Sequence, residues 1–291
     1  DMQYLHDFNE FNIDNYEFST NRVVPYTHYT FTLPRVKIPG NYLLVVYKDF
    51  NPDDIAFVQR FYVYDQKIGI SANKSIIGSA INNDDQLVEF TVDYSNYPVL
   101  NPLQEIKVVV RQNGRWDNAI TNIQPTIFRD DLKQLVYRNY AANESFKAGN
   151  EFRFFDLTSV RYNMRNVDRI SESELRIDAY LAKDRFRRYE PYTMIRDLNG
   201  GYYIENKDYG NHHIDAEYVN THFFLELPPE IRDDIYIGGK LAGWQTSEHN
   251  KMKYIKETNT YTCTLLLKQG LYDYQYLVPG YTENPNIIEG N

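Results

Sequence analysis

The sequence predicts an all-β protein built from tandem β-sandwiches, and three observations lead there. Aromatic strand formers dominate: 27 Tyr and 16 Phe stand against 2 Trp and 4 Met in 291 residues, and such side chains suit a half-buried pleated surface. Apolar and polar residues alternate with period two through much of the chain. Turn residues punctuate these runs, most clearly in Gln112-Asn113-Gly114-Arg115, where Asn-Gly supplies the positive φ angles of a type I′ turn fed by Ile106, Val108, Val109 and Val110. A hydrophobic content of 42% is enough for real cores, and the length allows two to three domains.

The first expected unit spans residues 1–66. Tyr26, His28 and Thr30 alternate with Thr27, Tyr29 and Phe31, and Ile38-Pro39-Gly40 then turns the chain into a strand over Tyr42 to Tyr47. Its partner is expected from Phe57 to Tyr64. These strands are too few to close a sandwich, so the rest of that domain is expected upstream of Asp1. The intervening Asp49, Asn51 and Asp53 have the spacing of a calcium loop. Asp54 stands where that loop needs glycine and Arg60 where it needs glutamate, so a solvated turn is expected.

A central sandwich with long loops is expected over residues 67–228. After a turn at Ile81 to Gln86 come strands at Leu87 to Asp93, the Glu105 to Ile120 hairpin, and Lys133 to Asn139. Further strands follow at Glu151 to Asp156, Leu175 to Leu181, Tyr202 to Glu205 and Glu217 to Leu227. Short helices are conceivable at Arg129 to Arg138 and Ser171 to Arg176. Pro228-Pro229 ends the last strand and is expected to open a third unit, residues 229–291, because neither proline can donate to a ladder. In its last strand Tyr272, Tyr274 and Tyr276 share one face.

A formal charge of −9 argues against unspecific nucleic-acid binding, which needs a net positive footprint. Between Arg161 and Arg188 arginines are dense, but Asp168, Glu172, Glu174, Asp178 and Asp184 are mixed among them. That pattern reads first as a solvated strand surface and second as a docking patch for an acidic partner. No apolar run approaches the roughly 20 residues that span a bilayer. The chain opens in DMQYLHDFNEF without an initiating Met or a signal peptide, as expected for a fragment whose natural start has been removed.

Chemistry leaves few local marks. The lone Cys263 sits in an alternating strand, as a buried structural thiol does. His213, Asp215 and Glu217 would share one face of a strand, but Gly210-Asn211 before them reads as a turn, so a polar loop is expected and no metal or other cofactor. Nucleophile-elbow, zinc-protease, phosphate-loop and Cys-x-x-Cys motifs are absent from the sequence. A glycosidase's paired carboxylates leave no local spacing, so a hydrolase would have to reveal itself as two facing carboxylates in a pocket. Trp116 follows the Asn-Gly turn, where it either packs across strands or, with Arg115, contacts a partner.

The third unit resembles the early-set, immunoglobulin-like β-sandwiches, particularly the glycogen- and starch-binding modules, through Gly239, Trp244, Gly270, Tyr272 and Tyr274. That likeness implies sugar stacking on Trp244, with Tyr281 as a loose second aromatic. The whole chain resembles a broader family. Val24-Pro-Tyr-Thr-His-Tyr29, Ile38-Pro-Gly-Asn-Tyr42, Gln86-Leu-Val-Glu-Phe-Thr-Val-Asp-Tyr94, the Asn-Gly hairpin, Ala148-Gly-Asn-Glu-Phe-Arg-Phe-Phe-Asp156 and Leu266-Leu-Lys-Gln-Gly270 are similar to the type IX secretion system plug proteins. The resemblance implies a non-enzymatic periplasmic protein, peripheral to the outer membrane, that docks on the periplasmic end of the translocon β-barrel and closes it. It also implies that the first and last domains are trimmed here. The alternative is a periplasmic carbohydrate-binding protein using Trp244 and Tyr281.

Overall fold

The computed structural model of the protein describes residue 4 and residues 10–20, 22–72, 77–78, 85–138, 145–147, 149–228, 233–279 and 288–289. Its fold is all-β, in several open sheets. The first part consists of two antiparallel pairs. Strand β1 (Asn15–Phe18) pairs with β2 (Thr27–Thr30), and β3 (Gly40–Tyr47) pairs with β4 (Ile55–Val63). Asp49 and Phe50 adopt positive φ in the turn between β3 and β4, and the Asn51 side chain accepts the Asp53 N–H at 3.1 Å. The acidic cluster there lies in an exposed turn, as expected from Asp54 and Arg60 standing where a calcium loop needs glycine and glutamate.

The second part runs from β5 (Gly69–Ala72) through β6 (Ile77–Gly78), β7 (Asp85–Leu87) and β8 (Phe90–Asp93) to the helical turn α1 (Pro102–Glu105). It continues with β9 (Val109–Val110), β10 (Ile120–Thr121), β11 (Ile127–Arg129), β12 (Gln134–Tyr137) and β13 (Phe146–Lys147). One sheet has the order β11-β12-β8-β5, a second β13-β7-β6, and β9 pairs with β10. Phe90, Val92, Tyr94, Ile123, Leu135 and Tyr137 form its core, with the Phe90 and Tyr137 rings stacked at 4.7 Å. The helix conceived at Arg129 to Arg138 is the β11–β12 hairpin. Leu135 and Tyr137 are inward residues two apart, a strand period, and Asp-Asp-Leu-Lys between the strands is the turn, with Lys133 at φ 52°.

The third part comprises β14 (Arg153–Asp156), β15 (Val167–Glu172), β16 (Ile177–Leu181), β17 (Asp184–Arg185), β18 (Tyr202–Ile204), β19 (Tyr218–Glu226), β20 (Tyr236–Gly238), β21 (Lys253–Ile255), β22 (Thr260–Lys268) and β23 (Gly270–Leu277). One sheet has the order β14-β23-β18 with β20 also on β23. The other has the order β15-β16-β19-β22-β21 with β17 beside β19. The second conceivable helix is absent too: Ser171 and Glu172 end β15, and residues 173–176 turn into β16, with the Ser173 N–H donating to Arg176 O at 2.9 Å. Burial along β19 alternates strictly, and its inward Val219, Phe223 and Leu225 meet Phe155, Tyr272, Tyr274 and Tyr276 of the facing sheet. Phe155 stacks on Tyr272 at 5.2 Å and meets Phe223 edge-on at 5.5 Å. Cys263 is buried in β22, and burial pushes its thiol up to about 11.

These pairings divide the chain differently from the expected boundaries. β19, before Pro228, pairs along its length with β22, and β14 pairs with β23 at the far end of the sequence. The strands expected to close the central sandwich therefore share one core with the strands expected to form a separate third unit. The prolines do stop β19, but a stopped strand is not a domain boundary when its neighbours lie beyond the stop. The partition falls instead between β13 and β14, within the AGNEFRFFDL segment.

Just past that junction, a buried ionic network ties together strands of the third part. Glu289 accepts from Arg153 Nε at 3.0 Å, from Arg187 Nε at 2.6 Å and from the Tyr276 N–H at 2.7 Å. Arg153 also reaches Asp184 at 2.8 Å, and the hydroxyls of Tyr274 and Tyr276 donate to the other Asp184 oxygen at 2.6 and 2.7 Å. Burial works hardest on Glu289 and favours its neutral form, but Arg153 and Arg187 together outweigh it and hold the carboxyl below its ordinary value.

Candidate functional site

Three segments distant in sequence converge around the loop between β9 and β10. Asn113 (φ 54°) and Gly114 (φ 70°) both take the left-handed conformation, and the Arg115 N–H donates to Gln112 O at 3.1 Å, as the Asn-Gly pair predicted. The ladder itself is shorter than expected. Only Val109 and Val110 pair with Thr121 and Ile120, and the turn sits at the tip of a loop over residues 111–119. Arg111 steadies that tip by donating to Gly114 O at 3.1 Å.

The loop reaches in two directions. Trp116, 38% exposed, donates its indole N–H to the Tyr62 hydroxyl of β4, and its ring lies beneath the guanidiniums of Arg60 at 4.7 Å and Arg111 at 4.8 Å. Arg111 also donates to the Tyr62 hydroxyl at 2.9 Å. Arg115 points the other way: its guanidinium lies 4.1 Å over the ring of Trp244 while pairing with Asp117. Both expected anchors thus contact other parts of the same chain, tying the first part to the second and the second to the third.

Trp244 is held by its own local geometry. A 3-10 turn over Lys240–Ala242 ends in Gly243 (φ 62°), Trp244 follows at φ 59°, and its N–H donates to Gly239 O at 3.1 Å. The ring meets Phe152 edge-on at 5.9 Å and lies against Gly200, where an added Cβ would come within 2.3 Å of it. Arg115 thus lies over one face of the ring, with Gly200 and Phe152 beside it, and Trp244 remains partly exposed. Tyr281 lies outside the described residues. Beside Trp244 and Arg115 opens a cavity of about 660 Å³ between the second and third parts, walled also by Gln112, Asn118, Phe146 and Leu277. Asp117 is the carboxylate on its wall, and Arg115 already neutralises it. A second cavity, about 410 Å³, is lined by Leu241, His249, Asn250 and Leu265 to Leu267, without a carboxylate.

A second tie joins the first part to the third. Arg22 pairs with Glu217 at 3.0 Å, both side chains being buried, and Glu217 also accepts the Val23 N–H at 3.1 Å. Tyr26 donates its hydroxyl to Ala216 O at 2.9 Å, and Lys268 lies 3.9 Å over the Tyr26 ring. Glu217 is therefore taken up by the docked N-terminal segment. His213 lies 4.7 Å from His28 with the rings tilted by 33°, and Asp215 accepts the Asn211 N–H at 3.2 Å in the expected polar loop. Among the described residues no three His, Cys, Asp or Glu side chains are arranged to hold a metal.

Sequence reasoning missed Tyr62, Arg60, Arg111, Arg22 and Glu217 as participants. Arg111, Arg115 and Trp116 stand within one short cationic-aromatic cluster, which is a usable local signal. Tyr62 and Glu217 had none.

Comparisons with known proteins agree with this architecture. The profile of the family described as Type 9 secretion system plug protein 1st domain matches residues 1–65. The chain is similar throughout its length to a hypothetical protein from Parabacteroides merdae ATCC 43184 whose crystal structure is known, with 32% identity and a TM-score of 0.89, covering 74% of that chain. No curated protein matches. Among the described residues no helix is long and apolar enough to cross a membrane, which says nothing about strands. With a plug-domain profile at its start and an all-β fold of tied sandwiches, this chain belongs to the type IX secretion system plug protein family.

Proposed function

We propose that this protein docks on the periplasmic opening of the type IX secretion outer-membrane translocon and closes it, acting through protein–protein contact without catalysis. The observation that carries this reading is the match of residues 1–65 to the plug family's first domain. The physical requirement is consistent with the fold. A barrel wide enough to pass folded cargo leaks unless covered, and a cover must hold its shape against a large opening. The Trp116–Tyr62, Arg115–Trp244 and Arg22–Glu217 ties join the three parts through side chains, so the body can meet a partner as one unit. Its place on this reading is the periplasm, peripheral to the outer membrane.

The test is affinity purification from native envelopes together with a permeability assay. Expected results are recovery of the translocon barrel with the tagged protein, and increased entry of a large, normally excluded dye in cells lacking the protein. Recovery without any outer-membrane barrel, or unchanged dye entry in the deletion strain, overturns the reading. The carbohydrate alternative would additionally require saturable glycan binding that Trp244→Ala abolishes, at a ring that carries Arg115 over one face.

A further inference from the structure

Between β17 and β18 the chain forms a strap, residues 186–201, without regular structure: Phe186 packs on the third core, and the apolar side chains after it are exposed. The strap is pinned by polar groups. Arg187 bonds Glu289 and donates to Glu151 O at 2.6 Å, Tyr192 donates its hydroxyl to Glu151, and Asp197 accepts the Phe152 N–H at 3.1 Å. Asp273 accepts the N–H of Gly200 at 3.2 Å and that of Leu198. Between these pins Tyr189 and Met194 are 84% and 86% exposed. Tyr189 meets Phe186 edge-on at 5.8 Å and has Arg188 5.8 Å over its ring, but neither Tyr189 nor Met194 gives the fold much apolar burial, among the strongest stabilising effects available.

Charge distinguishes this surface from the rest. The chain carries −9 overall, yet Arg185, Arg188 and Arg196 are exposed on the strap or at its start, and no ion pair engages them among the described residues. Arg, Tyr and Met are the residue types enriched in interface cores, and Arg and Tyr in the energetic centres of interfaces. We infer that Arg185, Arg188, Tyr189, Met194 and Arg196 form a docking strap for a protein surface that combines acidic and apolar groups. This inference rests on the proposed docking role and assigns the acidic surface to the translocon barrel. Three unpaired arginines would steer the encounter, while Tyr189 and Met194 would supply the apolar burial.

The test uses the full protein and the detergent-solubilised barrel. Arg185→Glu/Arg188→Glu/Arg196→Glu and, separately, Tyr189→Ser/Met194→Ser are compared with the wild type, with thermal melts verifying that each variant folds. Each is expected to weaken barrel binding by at least about tenfold, and only the wild type and the Ser variant should lose affinity with rising salt. If the wild type binds the barrel and both variants bind within threefold of it, the strap is overturned while the docking role stands. If the wild type does not bind the barrel, both are overturned. Strap-dependent binding to vesicles of three parts phosphatidylglycerol and seven parts phosphatidylethanolamine, or strap-dependent self-association in sedimentation, without an effect on barrel binding, assigns the surface to lipid or to a second copy and overturns the inference.

Discussion

Replacing Trp116 by alanine tests whether the β9–β10 loop holds the first part in place. A Trp side chain can bury up to about 250 Å², and Trp116 is 38% exposed, so about 150 Å² of that leaves water. At about 25 cal/mol per Å² this is an upper bound of about 4 kcal/mol, and the compactness of real unfolded chains lowers it to about 3. The guanidiniums of Arg60 and Arg111 over the ring would each lose about 0.5–1 kcal/mol of the same contact. β3 and β4 pair only with each other among the described residues, and an isolated hairpin is marginal in water. Losing about 3 kcal/mol of docking should therefore raise amide hydrogen exchange across Ile55–Val63 by about a hundredfold. Exchange along Thr260–Lys268 should stay unchanged, because the Arg22–Glu217 tie and the third core are untouched. If β4 exchange in Trp116→Ala stays within threefold of the wild type, the loop does not hold the hairpin.

Other expectations follow from buried groups in the third part. Glu289→Gln leaves Arg187 without its carboxylate partner in a buried site, which should lower stability by about 3 kcal/mol in urea unfolding; a loss below 1 kcal/mol would contradict the network's structural role. Burial pushes Asp273 up to about 6, against the N–H groups of Leu198 and Gly200 that favour its charged form. The folded state thus keeps a proton that the unfolded chain releases near pH 4. Stability from this group is full below about pH 4, falls as pH rises to about 6, and totals about 3 kcal/mol. Asp273→Asn keeps an acceptor oxygen and should flatten that part of the stability–pH profile; an unchanged slope counts against the assignment. Gly200→Ala adds a Cβ at φ 73° within 2.3 Å of the Trp244 ring, so it should cost about 1–3 kcal/mol and shift tryptophan fluorescence, and a wild-type melt and spectrum would show that the ring is free to move.

Much of the local structure was legible because a strand writes its period into adjacent residues. The outward and inward residues of β19, the common face of Tyr272, Tyr274 and Tyr276, the left-handed pair Asn113-Gly114 and the buried Cys263 all follow from chemistry within a few positions. Family membership was legible for a similar reason, since it rests on contiguous segments. Strand lengths were overread where the alternation outran the ladder, as at Ile106 and Val108, which pack on the core without pairing.

The sequence by itself determined an all-β chain, the places of most strands, the Asn-Gly turn and the family. Tertiary structure alone decided that β14 pairs with β23 across more than a hundred residues, and that Pro228 interrupts one domain without separating two. It also decided that Trp116 meets Tyr62 while Arg115 covers Trp244. The physical reason is the range of each constraint. Side-chain alternation and turn angles are set by the neighbouring backbone, whereas the choice among many similar tyrosine-rich strands is made by which pairing buries a common core.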